Sequence, residues 1–434
     1  MNTLKNDKKF WIALVVFGLT GQVAWVVENM YFNVFIYKIF NASETDISIM
    51  VAVSAAVATL TTMFMGALSD KVGKRKPFIC FGYIIWGVTI CLFALIRVDV
   101  ISSLFKGVSA LAVGVTLVII MDGVMTFFGS TANDACFNAW LTDSSNSTNR
   151  GRIEGINAMM PLVAVLVVFG GFMGFDLALI ESWTAIFLII GGAVIVIGVL
   201  GLFIIKEVKI DKTDNDNYFK NLFYGFRPSV IKQNLPLYFV LIAFAVFGIA
   251  IQVFMPYLII YYEVSLQMAD YVLIMAPAII LASVATAFYG KVYDKYGFNV
   301  AIIPTIISLC VGFILLYLFK DKVMVFIGSL FMMIGNLAGA SVFGAKIRDL
   351  TPENKAGMFQ GLRIIGQVLI PGIIGPFIGS AVLKNADKVL GNDGTYSFIP
   401  NENIFLAALV VAGVMAIVLL LISKFTKTKK GNIS

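Results

Sequence analysis

The chain has 434 residues, of which 59% are hydrophobic and only 13% charged, and its mean hydropathy is +0.93. A soluble domain keeps about a quarter of its residues charged. This composition therefore excludes a soluble domain and makes lipid the main solvent. With no histidine and four scattered cysteines lacking a CxxC pair, the sequence predicts no His-based catalysis, no metal and no other cofactor.

Twelve apolar stretches follow in chain order, each long enough to cross a bilayer as a helix. They cover residues 11–40, 46–68, 78–97, 108–141, 153–175, 183–205, 236–262, 269–290, 299–319, 323–347, 357–383 and 403–423. We therefore predict an all-α integral membrane protein of twelve transmembrane helices. Its predicted parts are a six-helix bundle at 1–205, a cytoplasmic linker at 206–235, and a second six-helix bundle at 236–434 that ends in a short basic tail.

The basic residues indicate how the chain is oriented. Of the 32 Lys and Arg residues, 25 lie on the side of the two termini and the other 7 on the opposite side. Because short cytoplasmic loops are enriched in Lys and Arg, both termini are predicted to be cytoplasmic. This placement also accounts for the net charge of +7 without a nucleic-acid partner.

Two internal matches indicate that the halves are repeats. The segment Gly66–Gly73 recurs as Gly290–Gly297, 224 residues later and again after the second helix of its half. At an offset of 206, Phe137, Ala139, Asp143, Gly151 and Gly155 match Phe343, Ala345, Asp349, Gly357 and Gly361. Two pseudo-symmetric bundles are what alternating access requires, since one repeat moves against the other around a fixed site.

The segment Gly66-x-Leu68-x-Asp70-Lys71-x-Gly73-Lys74-Arg75-Lys76, here named the signature loop, resembles the signature of the major facilitator superfamily. Together with the 6+6 layout, the resemblance covers essentially the whole chain. Its glycines permit a tight turn, and the Asp70 carboxylate can accept hydrogen bonds at the N-terminus of a neighbouring helix. The resemblance implies a latch that holds the two halves in the outward-facing state. The residues assigned to this latch are Gly66, Asp70, Gly73, Lys74, Arg75, Asp143, Arg150 and Arg363.

The stretch Asn133-Asp134-Ala-Cys-Phe-Asn-Ala-Trp-Leu-Thr-Asp143, followed by Arg150, is similar to the fourth-helix region of sugar:cation symporters. The sucrose-type and glycoside–pentoside–hexuronide groups carry such a stretch. The melibiose-type sodium site uses acids inside the second helix. Here that helix has only Asp46 and Asp70, at its ends, so no sodium site is predicted by the resemblance.

Polar residues inside the predicted helices are costly in lipid and are therefore usually functional or paired. On a helical wheel, Gln22, Asn29 and Asn33 fall within about 40° of one another, and the first and fourth helices typically line the cavity in this superfamily. The predicted substrate-binding residues are Gln22, Trp25, Asn29, Asn33, Asn133, Asn138, Gln252, Asn336 and Gln367. The predicted ion-coupling residues are Glu28, Asp122 and Asp134, with a structural hydrogen bond or ion pair as the alternative for each acid.

These patterns predict a secondary active transporter in the plasma membrane, working as a monomer by alternating access. The predicted substrate is a small polar solute, a sugar or glycoside, coupled to a proton or another cation. The alternative is a proton-coupled exporter of drugs or metabolites. No nucleophile–base pair or Walker motif is present in the sequence, so an enzyme and an ATP-driven pump are not predicted.

Overall fold

The computed structural model describes residues 8–145, 150–207, 223–351, 356–390 and 396–431. The chain divides into two compact units, Met1–Tyr218 and Phe219–Ser434. Each unit is a bundle of helices with its own core, and each is described by itself below.

Eleven helices within the described residues are long and apolar enough to cross a membrane. In chain order, spans 1 to 11 are Lys8–Phe40, Glu44–Val72, Lys76–Leu95, Ala110–Asp143, Gly155–Phe172, Ile180–Ile204, Leu235–Ser265, Val272–Tyr296, Phe298–Leu318, Lys322–Leu350 and Gly361–Leu383. The helix of span 5 begins at Arg150. A twelfth helix, Asn403–Gly431, has a shorter apolar part at Asn403–Leu419 and is named span 12.

Several spans contain π-helical turns, which are rare and frequently lie at functional sites. They are Val27–Tyr31 in span 1, Ser130–Phe137 in span 4, Tyr261–Ser265 in span 7 and Ile365–Leu369 in span 11. The connections contain the short helices Val98–Leu104, Tyr224–Phe226, Pro228–Gln233 and Ala356–Ile364, the last leading into span 11.

Glycines bring spans 3 and 6 of the first unit into backbone contact. A Cβ atom added to Gly191 would lie 2.6 Å from the Gly87 carbonyl oxygen and 2.5 Å from Cys91 Sγ. One added to Gly198 would lie 2.8 Å from the Ile84 nitrogen. Such close approach is possible only without side chains, and in lipid it is close packing that holds helices together.

We expect Gly191→Ala to destabilise the protein by about 1–3 kcal/mol, because the added methyl group overpacks a backbone contact. Its sequence neighbour is the matched control, since a Cβ atom added to Gly192 has no atom within 4 Å. Thermal unfolding of both variants in detergent measures the difference. Equal melting temperatures for the two variants would contradict the packing described here.

The second unit is held by the same kind of contact between spans 9 and 10. A Cβ atom on Gly312 would lie 2.4 Å from the Met332 nitrogen, and one on Gly335 would lie 2.5 Å from the Leu309 nitrogen. Between spans 11 and 12, strand β1 (Lys388–Leu390) pairs antiparallel with strand β2 (Tyr396–Phe398). This hairpin was not predicted from the sequence, because its strands are three residues long and lack an alternating pattern.

The two units repeat the backbone geometry that follows their first spans. Asn41 and Gln267, both with φ of 53°, stand in the left-handed region after spans 1 and 7. The next residues then donate equivalent backbone hydrogen bonds, from Ala42 to the Ile36 carbonyl at 3.2 Å and from Met268 to the Tyr262 carbonyl at 2.9 Å. These pairs are all 226 residues apart, so the repetition indicated by the sequence extends to helix termination.

The duplicated motif keeps a positive φ at its glycine, although ψ differs between the copies, 26° at Gly73 and 179° at Gly297. Gly73 and Gly297, which match in the sequence alignment of the halves, have φ of 71° and 74°. A positive φ is strained for a residue with a Cβ atom, which explains why glycine occupies both places. The prediction of an all-α membrane protein is confirmed. The predicted linker at 206–235 stays a prediction, since residues 208–222 lie outside the described residues.

Candidate functional site

A buried carboxylate lies where spans 1, 2 and 4 meet. Glu28 Oε1 accepts hydrogen bonds from Ser54 Oγ at 2.6 Å and from Thr126 Oγ1 at 2.9 Å, and the two hydroxyls are 3.0 Å apart. Glu28 is 5% exposed, and its second oxygen, Oε2, is buried without a partner. One carboxylate oxygen is therefore fixed by two hydroxyls, while the other remains available.

A second buried acid faces the first from span 4. Asp122, which is 2% exposed, lies one helical turn before Thr126 and so on the same face of the helix. Its Oδ1 is buried without a hydrogen-bond partner, and its carboxylate interacts electrostatically with that of Glu28. Neither acid forms an ion pair with a described residue, so two acidic groups lie buried here without a basic partner among those residues.

The third predicted ion-coupling residue lies further along span 4, within its π-helical turns. Asp134 Oδ2 accepts a hydrogen bond from Ser130 Oγ at 3.0 Å. Asp134 also interacts electrostatically with Glu28, as Asp122 does, so Glu28 is the acid that the other two share. The hydroxyl partners Ser54 and Ser130 were missed by the sequence analysis, because a lone serine in an apolar helix gives no distinguishing signal.

Two indole rings lie beside this acidic cluster. Trp25 of span 1 and Trp86 of span 3 have ring centroids 5.0 Å apart with planes tilted by 43°. A Cβ atom on Gly129 would lie 2.7 Å from Trp86 and 2.9 Å from Trp25. Because Gly129 has no side chain, the rings fit directly against span 4, one turn from Thr126.

The remaining polar residues of span 1 do not form the single row that was predicted. Asn33 is buried, Asn29 is exposed and Gln22 is half-buried. Both asparagines also donate to carbonyls of their own helix, Asn29 to Trp25 at 2.8 Å and Asn33 to Asn29 at 3.0 Å. The π-helical turns at Val27–Tyr31 change the angle per residue, which an ideal helical wheel does not represent.

The side chain of Asn133 makes a hydrogen bond inside the first bundle. Its Nδ2 donates to Tyr83 Oη at 2.6 Å, and Tyr83 Oη donates to the Phe17 carbonyl at 2.9 Å. This chain of hydrogen bonds joins spans 4, 3 and 1 in the buried core. Asn138, four residues after Asp134, is exposed and donates to the Asp134 carbonyl at 3.2 Å.

The predicted residues of the second unit lie on spans 7, 10 and 11. Gln252, Asn336 and Gln367 are each half-buried. Arg363 Nε donates to Gln367 Oε1 at 3.1 Å, so the predicted latch arginine contacts a predicted substrate-binding residue. Their roles stay predictions.

The signature loop is organised around one buried arginine. Arg75, 4% exposed, forms ion pairs with Asp70 at the end of span 2 and, at 3.0 Å, with Asp143 at the end of span 4. It also donates to Ser69 Oγ. Burial alone would lower the pKa of Arg75, but the charges of Asp70 and Asp143 outweigh it and hold this pKa above its ordinary value.

A residue missed by the sequence analysis completes this network. Glu207, just after span 6, accepts from the backbone nitrogen of Arg75 at 2.7 Å and from that of Lys76 at 3.3 Å. These two backbone nitrogens lie at the N-terminus of the helix of span 3, where a negative charge is favourable. Lys74 is exposed and the side chain of Arg150 lies outside the described residues.

The second copy of the motif makes a simpler contact. Tyr293, which aligns with Ser69, donates to Asp349 Oδ2 at 2.5 Å, and Asp349 aligns with Asp143. The position of Arg75 is taken by Asn299 in this copy. Here the neutral hydroxyl of Tyr293 joins the ends of spans 8 and 10, whereas an arginine with several contacts joins spans 2 and 4.

The multispan fold, the duplicated halves and the buried polar cluster define a secondary transporter of the membrane. The chain belongs to the major facilitator superfamily, whose family model matches residues 10–342. It is accordingly a multi-pass membrane protein that moves a small molecule, and not an enzyme.

Individual relatives agree with this family. The chain is 26% identical to sugar efflux transporter B of Salmonella typhimurium over 198 residues, which cover 46% of each protein. The matched region thus spans about half the length of that relative. Among solved structures, nucleoside transporter NupG has a TM-score of 0.68 at 13% identity, with 96% of this chain and 98% of that chain covered. A bacterial homolog of the human lysosomal transporter Spinster, inward-facing and unoccupied, has a TM-score of 0.71 at 15% identity, with coverage of 96% and 98%.

Proposed function

We propose that this protein moves a sugar or glycoside by alternating access and couples that movement to a proton or another cation. The observation that carries the coupling is the pair formed by Glu28 and Asp122. Each acid is buried, each has one carboxylate oxygen without a partner, and the two interact electrostatically.

Two charged carboxylates without a basic partner are strongly unfavourable in a buried, low-dielectric pocket. Binding a cation or a proton relieves the repulsion between the two carboxylates, and release of that ion restores the repulsion. The occupancy of the pair therefore depends on the cation concentration on the side to which the pocket opens. Such a dependence is what coupling to an ion gradient requires.

The solute class is supported by the character of the surrounding side chains. The half-buried Trp25, supported by the buried ring of Trp86, provides an aromatic face next to the acidic cluster, and the aliphatic face of a sugar packs well on such a ring. The named relative from Salmonella is a sugar efflux transporter, which favours a saccharide. That relative also favours export as a second candidate direction.

The proposed setting is the plasma membrane, with both termini in the cytoplasm. The distribution of Lys and Arg in the loops supports this orientation. The side of the Asp143 end of span 4 is then cytoplasmic, as is the signature loop.

A flux assay in vesicles containing the purified protein tests this proposal. We expect a labelled saccharide from a panel of glucose, lactose and xylose to move faster when a pH or sodium gradient is imposed. Uridine and the dye ethidium serve as the competing nucleoside and drug substrates. Movement of uridine or ethidium but of no saccharide would contradict the proposed solute. A saccharide flux that is the same with and without the pH and sodium gradients would contradict coupling.

The direction of driven movement distinguishes uptake from export. A symporter accumulates the saccharide on the side to which the cation flows, whereas an antiporter accumulates it on the opposite side. The orientation of the protein in the vesicles is determined from protease accessibility of the basic C-terminal tail.

A further inference from the structure

We propose that Asp134 is an intermediate proton acceptor, through which the Glu28–Asp122 pair exchanges protons with the Asp143 end of span 4. This inference rests on the proposed function and specifies the coupling ion as a proton. It assigns Asp134 a role distinct from that of the two more deeply buried acids.

The first supporting observation is a ladder of polar side chains along span 4. Polar residues recur every four positions, in the order Asp122, Thr126, Ser130, Asp134, Asn138 and Thr142. In an α-helix of 3.6 residues per turn, a four-residue repeat drifts around the axis by about 40° per step. The π-helical turns at Ser130–Phe137 hold more residues per turn and reverse part of this drift, so the ladder stays on one side of the helix.

Hydrogen bonds link Thr126 to the acidic pair and Ser130 to Asp134, on the two sides of one gap in the ladder. Thr126 Oγ1 donates to Glu28 at 2.9 Å, and Ser130 Oγ donates to Asp134 at 3.0 Å. Thr126 and Ser130 are one helical turn apart, with Cβ atoms at about 5–6 Å, a gap that one bridging water can span. Serine and threonine hydroxyls both donate and accept, so each can pass a proton onward and recover its own.

Burial decreases steadily along the ladder. Asp122, Thr126 and Ser130 are buried, Asp134 is half-buried and Asn138 is exposed. A proton entering at the Asn138 end therefore meets Asp134 as the first acid. The carboxylate of Asp134 takes up the proton and becomes a carboxylic acid. On release, Ser130 gives up its own hydroxyl proton towards the pair and receives the proton of Asp134, so each O–H bond that breaks is replaced by a new one.

The oxygen geometry favours a proton over a metal cation. The Ser54 and Thr126 hydroxyl oxygens lie 2.6 and 2.9 Å from Glu28 Oε1, distances set by the hydrogen between each hydroxyl and the carboxylate. Oxygens that surround a metal cation at ligand distances of about 2.3–2.6 Å lie further apart than this.

The other charged and titratable groups near this route are few. Glu28 interacts with Asp122 and with Asp134, and Tyr83 of span 3 interacts with Asp134. Lys and Arg do not occur in the sequence of span 4. Within span 1 they occur only near its two ends.

Infrared spectroscopy of the purified full-length protein in vesicles tests the route without a solute. Carboxylic acids and carboxylates absorb at different frequencies, and transfer into D₂O shifts the acid band as its proton exchanges. Bands lost in Glu28→Gln or Asp122→Asn identify the pair. We expect Asp134→Asn to retain these bands but to slow their exchange by about tenfold or more, and Ser130→Ala to slow it in the same direction.

Thr116→Val is the matched control, since it removes an exposed hydroxyl from the same helix and should leave the exchange rate unchanged. Unaltered exchange in both Asp134→Asn and Ser130→Ala would overturn the proposed route. Absence of any acid band assignable to the pair would overturn proton binding at the pair. The saccharide flux assay would still decide the proposed function on its own.

Discussion

Replacing Arg75 by alanine is expected to destabilise the protein by about 3 kcal/mol, the lower end of the range for breaking a buried ion pair. The substitution removes two ion pairs and the hydrogen bond to Ser69 at once. It also leaves Asp70 and Asp143 facing each other without a cation. The partial exposure of the two acids, 30% and 26% of their side chains, keeps the effect from being larger.

Thermal unfolding in detergent measures this loss, and two further variants make it specific. Lys74→Ala removes an adjacent exposed cation and should change stability by no more than about 0.5 kcal/mol. Arg75→Lys keeps the charge but not the fork that reaches two acids, and should fall between wild type and Arg75→Ala. A melting temperature for Arg75→Ala equal to that of Lys74→Ala would refute the structural role given to this arginine.

Glu28→Gln and Asp122→Asn are each expected to abolish gradient-driven accumulation of the transported saccharide while leaving its exchange across the membrane intact. Each variant replaces an acid by an amide of nearly the same shape, so the pocket is preserved. The amide cannot take up and release a proton in the physiological range. The predicted result is therefore a loss of coupling and not of binding.

Separate measurements of accumulation under a pH gradient and of exchange at equal concentrations check this expectation. Glu181→Gln is the control, because it neutralises an exposed acid of the same unit away from the cluster. If both amide variants still accumulate the saccharide like wild type, the acidic pair has no role in coupling.

Much of the architecture follows from the sequence because lipid imposes simple rules. The length of an apolar stretch determines where a helix crosses the membrane, and the duplicated motif indicates the two halves. Span limits differ from the predicted ones by a few residues, since apolar side chains continue into the ends of helices. The hairpin at Lys388–Leu390 and Tyr396–Phe398 was missed, because such short strands carry too little pattern.

The candidate site was only partly predictable. Costly acids in apolar helices stand out, and Glu28, Asp122 and Asp134 do lie in one cluster. The sequence could not indicate that Asn133 is engaged by Tyr83, because that contact joins residues 50 positions apart. The sequence could not indicate the π-helical turns either. These turns determine which side chains of spans 1 and 4 lie on the same face of their helix.

Asn41 and Gln267, whose backbones lie in the left-handed region, show how far the two halves of the protein correspond. A left-handed backbone at a residue other than glycine costs about 1–2 kcal/mol, yet both halves retain it at the corresponding position. The acids are not shared in this way, because span 10, the counterpart of span 4, has none between Val323 and Arg348. The two halves thus share the backbone geometry of their helix ends, whereas the acids of span 4 have no counterpart in span 10.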